Sequence, residues 1–125
     1  MKEILYVMMF GAVGALARFG VGKGAKQLLG TGFPHETLIV NVVGCLVIGF
    51  LMELSQESTL PKHLHTGLVV GFLGAFTTFS AFGYATFDLL KQGAMTQALA
   101  NAGLNLSLGL LAVWLGVVLG RSVMI

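Results

Sequence analysis

Charged side chains are scarce in this sequence. Asp, Glu, Lys and Arg make up only 10% of its 125 residues, against about a quarter in an average soluble domain. The formal net charge of +2 is too small to indicate a nucleic-acid partner. The single cysteine, Cys45, excludes an internal disulfide, and we interpret it as a small buried hydrophobe.

Side-chain groups typical of catalysis or metal binding are also missing from the sequence. The uncharged stretches contain no Asp or Glu, and the three histidines, His35, His63 and His65, lie in or beside predicted loops. His63 and His65 are two positions apart, which is poor spacing for two metal ligands on one helix face. No nucleophile–base pair or phosphate-binding loop is recognisable. We therefore predict that the protein is not an enzyme.

Long apolar stretches are what the sequence has instead. Hydrophobic residues make up 56% of the chain, and the mean hydropathy is +0.91. A transmembrane helix needs about 20 mostly apolar residues to cross a hydrocarbon core about 30 Å thick. The candidate segments are residues 4–29, whose second half is glycine-rich and basic, and the uncharged stretches 37–52, 66–87 and 92–120. The sequence thus predicts an all-α membrane protein, with one four-helix transmembrane domain over residues 1–125.

Glycine is abundant, with 18 residues, and several glycines lie four positions apart. These pairs are Gly20/Gly24, Gly67/Gly71 and Gly116/Gly120. Small residues at this spacing let helix backbones approach closely in lipid, so we interpret the pairs as helix-packing positions. The predicted loops are short and cover residues 30–35, 56–65 and 91–95.

Cationic residues are nearly balanced between the two sets of predicted helix ends. One set carries Lys2, Lys62 and Arg121, and the other carries Arg18, Lys23, Lys26 and Lys91. The positive-inside rule then gives almost no orientation bias. Two copies inserted in opposite orientations could pair as an antiparallel homodimer about a twofold axis in the membrane plane. The alternative is that Arg18 lies within the membrane, in which case the bias is real.

The third apolar stretch has an unusual centre. Two adjacent threonines, a serine and flanking glycines occupy residues 71–83, and these are poor helix formers. We interpret residues 74–78 as a helix break near the centre of the third helix, whose freed carbonyls could bind a small hard cation. The alternative is a continuous helix in which the hydroxyls bond back to the preceding turn.

Phenylalanine recurs every three to four residues in the same stretch, at Phe72, Phe76, Phe79 and Phe82. Such a stripe usually serves packing or lipid contact. Because the edge of a phenyl ring carries partial positive charge, ring edges can also face an anion. A fully charged Arg at the same place would hold the anion too tightly for rapid passage.

Amide side chains lie within two other helices. Asn41 follows Thr37 by one helical turn, and Asn101 and Asn105 are also one turn apart. Amides are costly in a bilayer unless they are paired, so they usually face the protein interior. Together with Ser80 they could supply N–H and O–H donors that replace the water shell of a small anion. The alternative is that each of them joins two helices.

These segments together resemble one known family. Residues 71–83, GFLGAFTTFSAFG, resemble the signature of the Fluc (CrcB) fluoride channels, in which the core Thr-Thr-Phe-Ser-x-Phe is highly specific. Similarity extends over nearly the whole chain in one order. The further matching segments are GAVGALARF at 11–19, TLIVNVVG at 37–44 and GLLAVWLG at 109–116.

The resemblance implies a fluoride-selective channel that exports F⁻ passively across the cell inner (plasma) membrane. It implies an antiparallel, dual-topology homodimer with two pores. By the same resemblance, Phe79 and Phe82 would be the pore phenylalanines, and Asn41 would be the amide donor. Ser80 and Thr37 would form the polar track, and Arg18 would be the vestibule arginine. The carbonyl groups of Gly74 and Thr77 would bind a central structural Na⁺.

The sequence departs from the family pattern in two respects. Many members carry Glu three residues after the second pore phenylalanine, where this chain has Ala85. The fourth-helix positions that are often Tyr and Ser appear here as Asn101 and Asn105, which we also assign to the pore.

The alternative to a fluoride channel is a small multidrug exporter. That class needs a carboxylate within the membrane, whereas the first helix has only Glu3 at its start.

The balanced charges predict that both orientations occur in one membrane. A cysteine introduced into the 56–65 loop, when labelled from one side only, should be modified in about half of the molecules. Permeabilised membranes, in which every molecule is accessible, provide the control. Labelling of all molecules or of none in sealed membranes would contradict dual topology.

Overall fold

The computed structural model describes residues 1–56 and 60–124, and all the regular secondary structure within these residues is helical, without strands. In a helix the internal N–H and C=O groups are hydrogen-bonded to each other, so they do not face hydrocarbon without a partner. A sequence this apolar requires such pairing. The elements are α1 (Lys2–Leu29), α2 (His35–Gln56), α3 (Lys62–Thr66), a π-helical segment (Gly67–Leu73), α4 (Gly74–Phe76), α5 (Phe79–Lys91) and α6 (Met95–Val123).

Four stretches are long and apolar enough to cross a membrane, which confirms the predicted four spans. They are Lys2–Leu29, His35–Gln56, Lys62–Lys91, which we call the third span, and Met95–Val123. The observed second span runs four residues past the predicted end at residue 52, and the third begins four residues before the predicted start at 66. The sequence-based bounds were too narrow because charged and polar end residues continue the helices. Residues 57–59 of the predicted 56–65 loop lie outside the described residues.

The outer surface of the bundle is apolar. Leu16 is 70% exposed, Phe19 is 65% exposed and Trp114 is 60% exposed. A protein in water rarely presents a continuous apolar surface of this kind. The exposed side chains therefore face lipid, or a further copy of the chain, rather than solvent.

Helices α2 and α6 pack against each other through glycines. A Cβ atom added to Gly49 would collide with the carbonyl oxygen of Val113, and one added to Gly116 would collide with that of Leu46. At Gly120 an added Cβ would lie 2.9 Å from the Cβ of Glu53. These approaches confirm that Gly116 and Gly120 are helix-packing positions.

The first half of the third span packs against α1 in the same manner. An added Cβ at Gly14 would collide with the carbonyl oxygen of Phe72, and one at Gly71 would lie 2.8 Å from that of Val7. The prediction for Gly20 and Gly24 was wrong within the single chain, because no atom lies within 4 Å of an added Cβ at either position.

The centre of the third span contains two residues with extended backbone. Thr77 has φ −83° and ψ 161°, and Thr78 has φ −152° and ψ 119°. Helix α4 ends before them and α5 begins after them. Residues Gly74–Phe76, which lie inside the predicted 74–78 interval, have helical backbone. The Thr78 hydroxyl caps α5 by accepting a hydrogen bond of 3.1 Å from the N–H of Ala81.

The glycine contacts predict a sharp difference between two alanine substitutions in α6. Gly116→Ala should lower the free energy of unfolding by about 1–3 kcal/mol, because its methyl group has no room beside Leu46. Gly103→Ala is the matched control, since an added Cβ there meets nothing within 4 Å. Unfolding in detergent, followed by helical circular dichroism, measures both. Equal loss of stability in the two variants would contradict the packing.

Candidate functional site

A cavity of about 680 Å³ lies between α2, the third span and α6. Its lining is mostly apolar and, in the part of the chain that the structure describes, includes no charged side chain. The structure thus brings several predicted site residues to one place. Those that line the cavity are Asn41, Asn105, Phe79, Phe82, Gly74 and Thr77.

Asn41 binds the extended backbone of the third span on both sides. Its Oδ1 accepts a hydrogen bond of 2.9 Å from the Thr78 N–H, and its Nδ2 donates to the Thr78 carbonyl oxygen at 3.2 Å. A backbone amide left unpaired in hydrocarbon costs several kcal/mol. Asn41 therefore supplies, from α2, the partners that a continued helix would have supplied to Thr78.

Two carbonyl groups lose their helical partners at this point. In a continuous α-helix the Thr78 N–H would bond to the Gly74 carbonyl, but here it donates to Asn41. The Ala81 N–H would bond to the Thr77 carbonyl, but here it donates to the Thr78 hydroxyl. In both cases the i+4 N–H donates to a different acceptor. The carbonyl oxygens of Gly74 and Thr77 are therefore left without their usual helical donors.

Hydrogen bonds continue from Asn41 into α6. Asn41 Nδ2 donates to Asn105 Oδ1 at 2.9 Å, and Asn105 Nδ2 donates to Asn101 Oδ1 at 3.1 Å and to the Asn101 carbonyl at 2.8 Å. Asn101, which is fully buried, donates from Nδ2 to Thr86 Oγ1 at 2.9 Å. We call Asn41, Asn105, Asn101 and Thr86 the polar relay. It joins α2, α6 and α5 without a formal charge.

Both amide hydrogens of Asn41 have protein acceptors in this arrangement, namely the Thr78 carbonyl and Asn105 Oδ1. An anion that takes a hydrogen bond from Asn41 must therefore displace one of these acceptors. The anion can replace such an acceptor because both protein acceptors are neutral. A hydrogen bond to an ionised acceptor is roughly twice as strong as a hydrogen bond to a neutral acceptor.

The predicted phenylalanine stripe divides into two pairs. The rings of Phe79 and Phe82 lie 5.6 Å apart at 48° and line the cavity. The rings of Phe72 and Phe76 are stacked at 5.6 Å and 14°, and they do not line it. Thr77 and Thr78 separate the pairs, so the extended backbone gives each pair its own surroundings.

The remaining predicted site residues lie outside the cavity lining. Ser80 is exposed, and its hydroxyl oxygen lies 3.4 Å from that of Thr78. Thr37 is buried on α2, one turn before Asn41, and Arg18 is exposed on α1. Asn101 is behind the lining and reaches the cavity only through Asn105.

Two residues that hold the site together were not named as site residues in the sequence analysis, although Thr78 lies within the predicted 74–78 break. Thr78 carries both the cap of α5 and the backbone groups that Asn41 binds. Thr86 lies four residues after Phe82, so helical periodicity places the two on one face. Its hydroxyl donates to the Phe82 carbonyl at 2.8 Å and accepts from Asn101. The i+4 spacing was a usable signal for Thr86, but the partner on α6 was not visible in the sequence.

Two interhelical polar contacts away from the cavity lie toward one end of the bundle. Arg121 Nε donates to Glu53 Oε1 at 2.9 Å, which joins the ends of α6 and α2. The Thr66 hydroxyl donates to Glu3 at 3.2 Å, which joins α3 to α1. Within residues 1–56 and 60–124, no group of three or more His, Cys, Asp or Glu side chains is placed to hold a metal ion.

The structure combines four apolar spans with a cavity whose lining, in the described residues, is mostly apolar and carries no charge. This arrangement defines a multi-pass membrane protein, and the sequence comparisons identify its family. Residues 5–117 match the family described as CrcB-like protein, Camphor Resistance (CrcB). The chain belongs to this CrcB family.

Similar proteins cover nearly the full length of the chain. A protein of Dehalococcoides mccartyi named "Fluoride-specific ion channel FluC" is 47% identical over 121 residues, which are 96% of this chain and 93% of the relative. Proteins with the same name from Pelobacter propionicus and Geobacter metallireducens are 46% and 43% identical. They cover 98% and 97% of this chain, and 95% and 98% of their own lengths.

Proposed function

We propose that this chain forms a fluoride-selective channel, which exports F⁻ passively from the cytoplasm and so protects against fluoride toxicity. The observation that carries the proposal is the cavity that Asn41, Phe79 and Phe82 line together, whose lining includes no charged side chain within the described residues. The names of the relatives support the same function. They describe a channel, in agreement with the prediction that the chain is not an enzyme. The plasma membrane is the location expected for a bacterial channel with four spans.

The chemistry of the cavity suits a small, strongly hydrated anion. Amide N–H groups and hydroxyl groups can replace water as hydrogen-bond donors to F⁻. The positive ring edges of Phe79 and Phe82 add attraction without a full charge. An ion must bind well enough to enter and weakly enough to leave. Neutral donors meet both requirements better than a buried Lys or Arg would.

Passive export follows from the acid–base chemistry of fluoride. Hydrogen fluoride is neutral and crosses membranes, and it dissociates in a less acidic cytoplasm, where the anion is then trapped. An inside-negative potential drives a monovalent anion outward by about 2.3 kcal/mol per 100 mV. The channel needs no coupled proton, which agrees with the lack of Asp and Glu among the cavity-lining residues of the described chain.

We further propose that the channel is an antiparallel, dual-topology homodimer in which the third span acts as a broken helix. Phe79 is 83% exposed in the single chain, and Ser80 and Gly74 are also exposed. These residues lie near the middle of the third span, where polar backbone and hydroxyl groups facing lipid are costly. A second copy that covers this face would remove the cost. The near balance of cationic helix ends permits the second copy to insert in the opposite orientation.

The same face would hold a central structural Na⁺. The carbonyl oxygens of Gly74 and Thr77 are released from their i+4 donors, and carbonyl oxygens are suitable ligands for a hard cation. Each subunit of the proposed dimer would contribute both carbonyls. When bound, the ion would supply positive charge that stabilises the paired carbonyl dipoles.

The remaining assignments follow the path that the anion would take. Arg18, exposed on α1, would attract anions to the vestibule. Thr37 and Ser80 would extend the row of hydroxyl donors on either side of Asn41. Asn105 would contribute to the pore directly, and Asn101 would act from behind it.

Fluoride should pass through the purified protein, and chloride should not. Vesicles loaded with each potassium salt, and made permeable to K⁺ by an ionophore, allow ion-selective electrodes to record the two effluxes. Protein-free vesicles are the control. Equal efflux of both ions, or no protein-dependent fluoride efflux, would contradict the proposed function.

The ring edges predict a loss of flux when the phenylalanines that line the cavity are replaced. Phe79→Ile and Phe82→Ile should each slow fluoride efflux roughly tenfold or more, which corresponds to about 1.4 kcal/mol. Phe87→Ile is the matched control, because Phe87 lies on the same helix, is 58% exposed and does not line the cavity. If both cavity variants kept full fluoride efflux, the prediction would be contradicted and the two rings would have only a packing role.

A further inference from the structure

Thr86 joins two helices through one hydroxyl group. Its Oγ1 donates to the Phe82 carbonyl within α5 at 2.8 Å, and it accepts from Asn101 Nδ2 on α6 at 2.9 Å. A hydroxyl carries a single hydrogen, which is already committed to the carbonyl. The oxygen can therefore only accept from Asn101. The back-bond to Phe82 alone would be ordinary for a threonine in a membrane helix, but the contact with Asn101 is not.

This restriction passes along the polar relay. Because Thr86 needs a donor, Asn101 presents Nδ2 to it and turns Oδ1 toward Asn105. Asn105 then presents Nδ2 to Asn101 and Oδ1 to Asn41. At the far end the Thr78 N–H needs an acceptor, which is Asn41 Oδ1. Both ends of the relay require the hydrogen bonds to be donated in the same direction. Each amide in the relay therefore satisfies its partners in one orientation of its side chain.

We infer that Thr86 is a positioning residue for anion passage, which acts through Asn101 and Asn105 to orient the donors of Asn41 in the cavity. This inference rests on the proposed function. Thr86 itself does not line the cavity, so it has no direct contact with a permeating ion. Its contribution is to supply the acceptor without which the fully buried Asn101 amide would turn to find another partner.

The test compares three variants by fluoride efflux from vesicles. Thr86→Val keeps the shape of the side chain and removes the acceptor, and it should slow efflux about tenfold. Thr86→Ser restores the hydroxyl and should stay within about twofold of the unmodified protein. Thr66→Val is the matched control, because it removes an interhelical hydroxyl bond, to Glu3, outside the relay.

A second measurement reports amide orientation without relying on transport. In protein labelled with ¹⁵N at asparagine, Thr86→Val should shift the side-chain amide resonances of Asn101 and also those of Asn41, whereas Thr66→Val should shift neither. The inference is overturned if the Asn41 signals do not move, if Thr86→Val conducts like Thr66→Val, or if Thr86→Ser fails to rescue. If the unmodified protein passes no fluoride, the proposed function fails, and the resonances alone then decide whether Thr86 orients the relay.

Discussion

The rest of the structure depends on how two residues of extended backbone are satisfied inside a membrane protein. Thr77 and Thr78 leave helical geometry at the centre of the third span. In hydrocarbon this arrangement persists only if other groups take over the lost hydrogen bonds. Asn41 provides both a donor and an acceptor for Thr78. The same contact joins α2 to the third span, frees the Gly74 carbonyl and begins the polar relay, while the Thr78 hydroxyl, by capping α5, frees the Thr77 carbonyl.

The chosen groups are polar but neutral, and this has an energetic reason. A charged side chain at this depth would be costly to bury and would bind an oppositely charged ion strongly. Asparagine and threonine avoid the first cost because they satisfy one another across α2, α5 and α6. A set of mutually paired amides also holds its geometry before an ion arrives. In the proposed channel, the anion would then exchange one neutral acceptor for itself and would not have to organise the donors.

Much of the fold was predictable because lipid imposes strong rules on sequence. Apolar stretches punctuated by charged residues identified the four spans, although residues 37–52 are few for a full span. The cost of unpaired amides indicated that Asn41 and Asn105 face the interior, as they do. Helix ends were less predictable, because polar residues at the interface continue a helix without an apolar pattern. The π-helical geometry of Gly67–Leu73 was not predicted, because nothing in the apolar pattern distinguishes this segment from an α-helix.

The candidate site was predictable in its members but not in its connections. The sequence indicated that Asn101 was polar and interior, but only the structure shows that it lies behind Asn105 and donates to Thr86. Likewise, a four-residue phenylalanine stripe is uniform in sequence, whereas the extended backbone at Thr77 divides it. Arg18 remains a prediction drawn from the family resemblance, because it is exposed on α1 and is not one of the cavity-lining residues.

The π-helical segment has a consequence for how this chain can vary in length. Its i→i+5 turns hold about one residue more than α-helical turns do. Deleting one residue from Gly67–Leu73 can therefore be absorbed by a return to α-helical geometry, which keeps Phe79 and Phe82 in the cavity with Asn41. The same deletion within α5 has no such outlet, and it would rotate the residues that follow by about 100° around the helix axis. This chain can therefore lose a residue in the π-helical segment more easily than in α5.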